Sequence, residues 1–309
     1  MQLRPIAALT LGAAVCLALS LPGPKGVAAA PVNIFACEPE WASLAREIGG
    51  DRVSAFTAVQ PLQDAHQIQA RPALIARMRS AQLVFCNGAD LEIGWLPLLL
   101  LNSANPAVQP GTPGLLYAAD RVALIEVPRS VDRAEGDLHP RGNPHVQLDP
   151  RNIGIVATAL AEHLEILDPD GAAGYRARLA DFQGRWREAA ERWRTKAAPL
   201  KGLAVVPATK SYAYLLAWLE MSEAAVLEPK PGVPPSVAHL SELSRRLERL
   251  RPRMVIRGAF ENGQATDWVA ERLGIPKVVL PFTVGGTERS GDLFGLFDDT
   301  LDRLLAAAR

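Results

Sequence analysis

The sequence predicts an α/β fold with two similar lobes, each built on a parallel sheet, joined by one long linking helix and facing each other across a cleft. Two observations predict the lobes: short apolar runs alternate with helical patterns from residue 32 onward, and the same alternation restarts after residue 200. A β-α-β-α order is typical of a parallel sheet covered by helices. The third observation is an uninterrupted helical pattern over residues 169–199, which separates the two halves.

The length and charge of the chain limit the classes of protein to which it can belong. The chain has 309 residues, is 49% hydrophobic and carries a formal net charge of zero. That is enough apolar material for two domains with their own cores. The neutral balance argues against nucleic acid as a partner, because phosphate backbones are bound by basic surfaces.

Residues 1–30 have the pattern of a secretory signal peptide. Arg4 precedes an apolar run from Ile6 to Leu21, and small residues follow up to Ala30. This order of charged, apolar and small residues predicts export, with cleavage after Ala29 or Ala30. The alternative is a membrane anchor, for which the run is short.

The N-terminal lobe is predicted over residues 31–168. Gly49 and Gly50 end its first helix, and Asp149 with Pro150 begins its last by the cap-then-proline signal. Residues 103–144 are rich in Gly and Pro and are expected to be mostly irregular. The other predicted elements are the strands 32–37, 52–59 and 82–86 and the helices 39–49 and 71–81, with a short buried helix in GWLPLLLLNS.

The linking helix, residues 169–199, carries one apolar stripe at steps of three and four residues, which indicates a packed helix face rather than a cofactor site. Pro199 ends it. The stripe consists of Tyr175, Leu179, Phe182, Trp186, Ala189 and Trp193.

The C-terminal lobe is predicted over residues 200–309. Its strands are GLAVVPA, EAAVLE, RMVIRG and PKVVLPF, and Ser236 caps the helix VAHLSELSRRLERL. The other helices are KSYAYLLAWLEM, ATDWVAERLG and the final FGLFDDTLDRLLAAA.

Two cysteines, Cys37 and Cys86, remain after removal of the signal peptide, and each ends a strand-like run. In an oxidising compartment they would form a disulfide if the two strands are parallel neighbours. The alternative is two small buried residues, and the sequence leaves both open.

In open parallel sheets ligands bind beyond the carboxyl ends of the strands. Two histidines converging there, His66 and His145, with a carboxylate, would suit a divalent transition metal. The polar residues that follow predicted strands or the Gly/Pro loop are His66, His145, Thr209, Lys210, Arg257, Glu261, Glu288 and Asp292. His163 is expected to be solvated, and His239 to pack or cap locally.

Several segments, taken in order along the chain, resemble the metal-binding solute-binding proteins of bacterial ABC importers, the zinc-type periplasmic receptors. The segments are DAHQIQARPALIARMRSAQLVFCNGADLEIGWLP, GNPHVQLDPRN, the long helix, EPKPGVPPSVAHLSEL and VVLPFTVGG. The resemblance implies two α/β lobes, a rigid linking helix and one metal site in the cleft.

The resemblance carries three metal ligands onto this chain: His66, His145 and Asp292. Thr209 stands where the family has its third histidine, and a hydroxyl is a poor zinc ligand at neutral pH. Arg257 stands where some members have a further carboxylate. Additional ligands to be considered are His139, for which the alternative is a solvated loop residue, Thr209 itself and Glu288.

The implied function is capture of Zn²⁺, or alternatively Mn²⁺ or another divalent metal, in the periplasm. Delivery would be to an ABC permease in the inner membrane, with a metallochaperone as a further partner and a monomer as the expected state. An alternative is a degenerate receptor of altered specificity. A less favoured one is a metal-dependent enzyme with an open metal position, using Glu261 or Glu288 as the base. The chain lacks the phosphate-binding loop of the importer's ATPase.

Overall fold

The computed structural model describes residues 1–2, 30–130 and 139–309. The predicted signal peptide lies almost wholly outside the described residues, as do residues 131–138 of the Gly/Pro loop. Within the part of the chain that is described, no helix has both the length and the apolar character needed to cross a bilayer.

The first lobe contains one four-stranded parallel sheet. Its strands are β1 (Val32–Ala36), β2 (Val53–Thr57), β3 (Leu83–Cys86) and β4 (Leu115–Tyr117). The spatial order is β2-β1-β3-β4, and every pairing is parallel. β4 lies within the region that was expected to be mostly irregular, because three residues are too few to show the alternation typical of a strand.

The second lobe repeats this arrangement. Its strands are β5 (Ala204–Pro207), β6 (Ser222–Glu223), β7 (Met254–Gly258) and β8 (Lys277–Leu280), in the spatial order β6-β5-β7-β8. The strand predicted in EAAVLE is largely absent. The chain there still runs beside β5, because the amides of Leu227 and Glu228 donate to the carbonyls of Pro207 and Ala208. The two parallel sheets confirm the predicted fold class.

Nine α-helices lie in the described residues. Three of them begin after a residue whose side chain accepts a backbone N–H of the first turn, namely Asp149, Ser236 and Asp292, and two end at a glycine with positive φ, Gly50 and Gly274. The nine helices are α1 (Pro39–Gly49), α2 (Pro72–Arg79), α3 (Leu96–Ser103), α4 (Pro150–Leu167), α5 (Ala172–Ala197), α6 (Ala213–Trp218), α7 (Val237–Leu250), α8 (Gln264–Leu273) and α9 (Leu293–Ala308).

The linking helix α5 is bonded to both lobes. Trp186 donates its indole N–H to the carbonyl of Pro150 at the start of α4, at 2.8 Å. Trp193 donates its indole N–H to Oδ1 of Asp298 on α9, also at 2.8 Å. The predicted apolar stripe is buried except at Leu179, which is half-buried. Because large aromatic side chains dominate this face, α5 forms part of one continuous core with α1, α4 and α9.

Cys37 and Cys86 form a disulfide with a Cα–Cα distance of 4.7 Å. The pairing follows from the sheet, since β1 and β3 are hydrogen-bonded parallel neighbours whose ends meet. Both cysteines are fully buried. The bond therefore fixes the chain next to Glu38 and Asn87, which follow the two cysteines directly.

Candidate metal site

A cavity of about 610 Å³, here called the outer cavity, lies beyond the carboxyl ends of both sheets. It has the position that parallel sheets usually give to a ligand. Acidic side chains predominate among its charged residues. These are Asp64, Glu126, Glu228 and Glu261, with Lys210 as the basic one. The cavity therefore favours a cation.

His66 is held in one orientation by Asp64. The Asp64 carboxylate accepts the backbone N–H of His66 at 2.9 Å and faces its Nδ1 at 2.8 Å. Burial raises the pKa of Asp64, but the hydrogen bond and charge of His66 outweigh it, so the pKa lies below its ordinary value. Because an ionised Asp64 accepts the Nδ1 proton, the lone pair of neutral His66 lies on Nε2, where a metal can bind.

His139 lies directly against His66. Their Nε2 atoms are 3.2 Å apart, and their ring centroids 5.3 Å apart. Two nitrogens bound to one tetrahedral zinc at 2.0–2.1 Å would be separated by about 3.4 Å. The pair is therefore spaced as two ligands of the same ion would be.

His145 is the third ring of this cluster and is only 6% exposed. Its centroid lies 5.7 Å from that of His66 and 5.4 Å from that of Phe282. Burial lowers the pKa of His145 well below its ordinary value, and the charges of His66 and His139 lower it further. The ring is therefore neutral at physiological pH, as a metal ligand must be.

Both lobes fix the segment before His145. The amide of His145 donates to Oδ1 of Asn143 at 3.0 Å, and Tyr214 of α6 donates its hydroxyl to the Asn143 carbonyl at 3.1 Å. The Asn143 side chain donates to Glu126 and to the carbonyl of Lys210, each at 2.9 Å. These hydrogen bonds fix the position of the backbone at His145, although the residue lies in neither a helix nor a strand.

Thr209 lines the outer cavity but its hydroxyl is already engaged. Its Oγ1 lies 3.0 Å from Oε1 of Glu261 and 2.9 Å from Oγ of Ser211. Tyr212 donates its hydroxyl to the other oxygen of Glu261 at 2.8 Å. Burial raises the pKa of Glu261, and bonds from Gly258, Tyr212 and Thr209 partly offset that rise. Thr209, which the resemblance placed at the third-histidine position, thus belongs to a network of hydroxyls around the Glu261 carboxyl.

Arg257 does not line the outer cavity. Its Nη1 donates to the carbonyls of Gly258 and Glu261, each at 2.9 Å. The guanidinium therefore holds the loop that carries Glu261, and its charge also lowers the pKa of that carboxyl.

Glu228 is a cavity residue that the sequence reasoning missed. Burial raises its pKa to about 7, with Glu261 adding to the rise and the charge of His66 opposing it. The carboxyl thus lies within electrostatic reach of a histidine from the other lobe. The sequence feature that could have identified it is the Glu that begins EPKPGVPP, a proline-rich loop directly after a strand-like run.

The structure does not bring Asp292 or Glu288 to the histidines. Asp292 is the N-cap of α9, where its Oδ1 accepts the amide of Gly295 at 2.7 Å, and its side chain is exposed. Glu288 is also exposed, and neither residue lines the outer cavity. After β8 it is Phe282 that packs on His145.

The two remaining histidines lie elsewhere. His239 has its Nε2 3.1 Å from the carbonyl of Leu227, which is the local packing expected of it. The expectation that His163 is solvated was wrong: the residue is buried, with Nδ1 2.6 Å from the carbonyl of Pro113. Arg121 also lies 2.9 Å from its Nε2, so the ring connects α4 to the preceding loop.

Within the described ranges, one group of three Cys, His, Asp or Glu residues has its ligand atoms all within 4.8 Å, namely Cys37, Cys86 and Glu92. Its two sulfurs are joined in the disulfide, so they cannot serve as thiolates. Among the described residues, the ligand atoms of His66, His139 and His145 do not all lie within 4.8 Å of one another.

Residues 34–307 match the family model described as zinc-uptake complex component A, periplasmic. The chain belongs to this family. The family is described as a periplasmic component of a zinc-uptake complex, and the curated relatives reported below are named as substrate-binding lipoproteins of metal ABC transporters, so the likeness favours binding over catalysis. For the zinc-uptake component A family, the two lobes and the long helix described above are the expected architecture.

Similar solved structures support the fold. One, titled crystal structure of ZnuA, has a TM-score of 0.76 and 22% identity, covering 90% of this chain and all of its own. A Cd-bound periplasmic metal-binding protein from candidatus Liberibacter asiaticus has a TM-score of 0.74 and 17% identity, with the same coverages of 90% and 100%.

Among curated relatives, the manganese ABC transporter substrate-binding lipoprotein scaA of Streptococcus gordonii is 26% identical over 49% of this chain and 46% of its own length. The metal ABC transporter substrate-binding lipoprotein SsaB of Streptococcus sanguinis is 25% identical over 55% and 53%. The chain thus matches about half the length of these curated relatives.

Proposed function

We propose that this protein captures Zn²⁺ with His66, His139 and His145 and delivers it to an ABC permease. The observation that carries the proposal is the convergence of these rings on one acidic cavity, with two Nε2 atoms 3.2 Å apart. Three neutral imidazoles leave a fourth tetrahedral position for water, as zinc sites with three protein ligands usually do.

The donor set favours zinc over manganese. Imidazole nitrogen suits zinc, whereas carboxylate and water oxygens suit manganese, and affinity for a nitrogen site rises from Mn²⁺ towards Zn²⁺. Asp292, the carboxylate carried over from the family pattern, is not part of the set we propose, because it caps α9. Relatives named for manganese leave the metal of this chain to be measured.

We further propose that the protein is exported to the periplasm, loses residues 1–30 and acts as a monomer. Its partner would be the permease in the inner membrane, and a metallochaperone would be a second partner. The lobes are proposed as residues 31–168 and 200–309, joined by the helical segment 169–199. N-terminal sequencing of the protein from a periplasmic fraction checks the cleavage after Ala29 or Ala30.

The direct test is titration of the mature chain with zinc and with manganese, by calorimetry with a competing chelator. We expect one tight zinc equivalent, weaker manganese binding, and loss of tight binding in His66→Ala and in His145→Ala. His163→Ala is the matched control, since that ring lies outside the outer cavity. Binding no tighter than micromolar for both metals would reject the zinc receptor and favour a receptor of altered specificity, in which Thr209 marks a lost ligand.

A further inference from the structure

Behind the histidines lies a second, much smaller cavity of about 30 Å³, here called the inner chamber. Its volume is enough for one water molecule. Asp64, His66, His145 and Phe260 line both this chamber and the outer cavity, so the two spaces are neighbours. Glu38, Gln147 and Phe282 line this chamber but not the outer cavity, and Phe282 packs on the His145 ring.

Three residues of the inner chamber each have a buried polar atom without a hydrogen-bond partner among the described residues. These atoms are Oε1 of Glu38, Oε1 of Gln147 and Nδ1 of His145. The residues are 4%, 2% and 6% exposed, so bulk solvent does not satisfy them. Such atoms are rare in native proteins, because a buried polar atom without a partner destabilises the fold. All three residues line the same water-sized space, which indicates a shared occupant.

The hydrogen-bonding types of these atoms determine how the occupant is bound. The amide Oε1 of Gln147 can only accept. The other carboxyl oxygen of Glu38, Oε2, already accepts the amide of Asn87 at 3.2 Å, and its free Oε1 is a further acceptor. One water can donate to both oxygens and then has no proton left for His145. It can only accept there, which requires His145 to carry its proton on Nδ1 and its lone pair on Nε2.

We propose that the inner chamber holds one water that accepts Nδ1–H of His145 and donates to Glu38 and Gln147, making these two residues positioning residues for metal capture. The role of this water in metal capture rests on the proposed metal-binding function, whereas its position and hydrogen bonds do not. His66 is oriented by the direct contact of Asp64 with its Nδ1, and His145 is oriented in the same sense through the bound water. Both rings thereby present Nε2 to the outer cavity, in the arrangement common to histidine ligands of metals.

The test is ¹⁵N NMR of the metal-free protein with labelled histidine, which reports the tautomer of each ring. In the wild type we expect His145 neutral with its proton on Nδ1. Gln147→Met keeps the side-chain length but removes the acceptor, so we expect a mixture of tautomers and roughly 10-fold weaker zinc binding. Gln147→Glu restores an acceptor and should restore the Nδ1–H form. Gln183→Met on α5, whose amide bonds Thr158, is the matched control.

A proton on Nε2 of His145 in the wild type would overturn the proposal, even if no variant folds. A tautomer unchanged in folded Gln147→Met would also overturn it. If the wild type shows the expected tautomer and the expected response to Gln147→Met but binds no zinc, the water-mediated positioning stands and the zinc function fails. The two ideas are therefore separated by one set of samples.

Discussion

The Nε2 atoms of His66 and His139 lie 3.2 Å apart although 73 residues separate them along the chain. Asp64 orients the His66 ring through its Nδ1 at 2.8 Å. The His139 ring belongs to a Gly- and Pro-rich loop, where the sequence left a solvated histidine as the alternative. In the proposed zinc site this contact would supply the third imidazole, where the resemblance led us to expect a histidine at the position of Thr209. This relationship gives the sharpest prediction about the metal site.

His139→Ala should weaken zinc binding by at least about 10-fold, because it removes one of three imidazole donors. Calorimetry with a competing chelator measures the change, and circular dichroism checks that the fold is intact. His239→Ala serves as the control, since its ring packs against the carbonyl of Leu227. An affinity equal to wild type would exclude His139 as a ligand.

Thr209→His should recover most of the affinity lost in His139→Ala. Thr209 lines the outer cavity, and a histidine there would supply the donor that the family usually has. In the wild-type background we expect less than about a 10-fold gain, because we propose His139 as the third donor. The double variant is compared with His139→Ala by the same titration. If Thr209→His alone raised zinc affinity greatly, and the double variant bound zinc no better than His139→Ala, the assignment of the third donor to His139 would be contradicted.

Asp292→Ala should lower the free energy of unfolding by about 1 kcal/mol and leave zinc affinity unchanged. Its carboxylate caps α9 through the amide of Gly295, and loss of such a cap costs about 0.5–2 kcal/mol. Urea unfolding and zinc titration measure the two quantities. Glu288→Ala, another exposed acid of the same loop, should alter neither. Loss of zinc binding in Asp292→Ala would restore the carboxylate to the ligand set.

Replacement of both cysteines, Cys37→Ser with Cys86→Ser, should lower the free energy of unfolding by about 4 kcal/mol. The disulfide closes a loop with a sequence separation of 49 residues, and cross-links of that length restrict the unfolded chain by roughly this amount. Denaturant unfolding of the oxidised wild type, the reduced wild type and the double variant measures the effect. Equal stability of all three would show that the bond contributes little.

Glu92→Gln should change how stability depends on pH. Burial raises the pKa of Glu92 to about 7, although hydrogen bonds from Glu38, Gly88 and Asn87 oppose the rise. The folded protein therefore keeps this proton where the unfolded chain, with a pKa near 4.5, has lost it. The stabilisation by Glu92 is complete below about pH 4.5 and is lost as the pH rises through about 7.

Relative to Glu92→Gln, the wild type should accordingly lose on the order of 1–3 kcal/mol across that range. Urea unfolding at a series of pH values gives the difference, and the exposed Glu248→Gln is the control. A constant difference between wild type and Glu92→Gln at all pH values would contradict a protonated buried Glu92.

Much of the fold could be predicted because its signals are local. The stripe from Tyr175 to Trp193 repeats at the helical period, so the long helix followed from spacing alone. The sequence missed β4, because a strand of three residues is too short to show a period. It also predicted a full strand at EAAVLE, because the residues there are typical of strands, but the observed strand ends at Glu223.

The sequence by itself determined the two lobes, the linking helix and the positions of His66 and His145 after predicted strands or loops. Those features depend on periodicity and residue type within short windows. Only the tertiary structure decided that His139 meets His66, that Asp292 lies away from the outer cavity, and that Glu38 lines the same small chamber as His145. His139 and His66, like Glu38 and His145, are distant in the chain, and packing fixes their separations through contacts that no local pattern records.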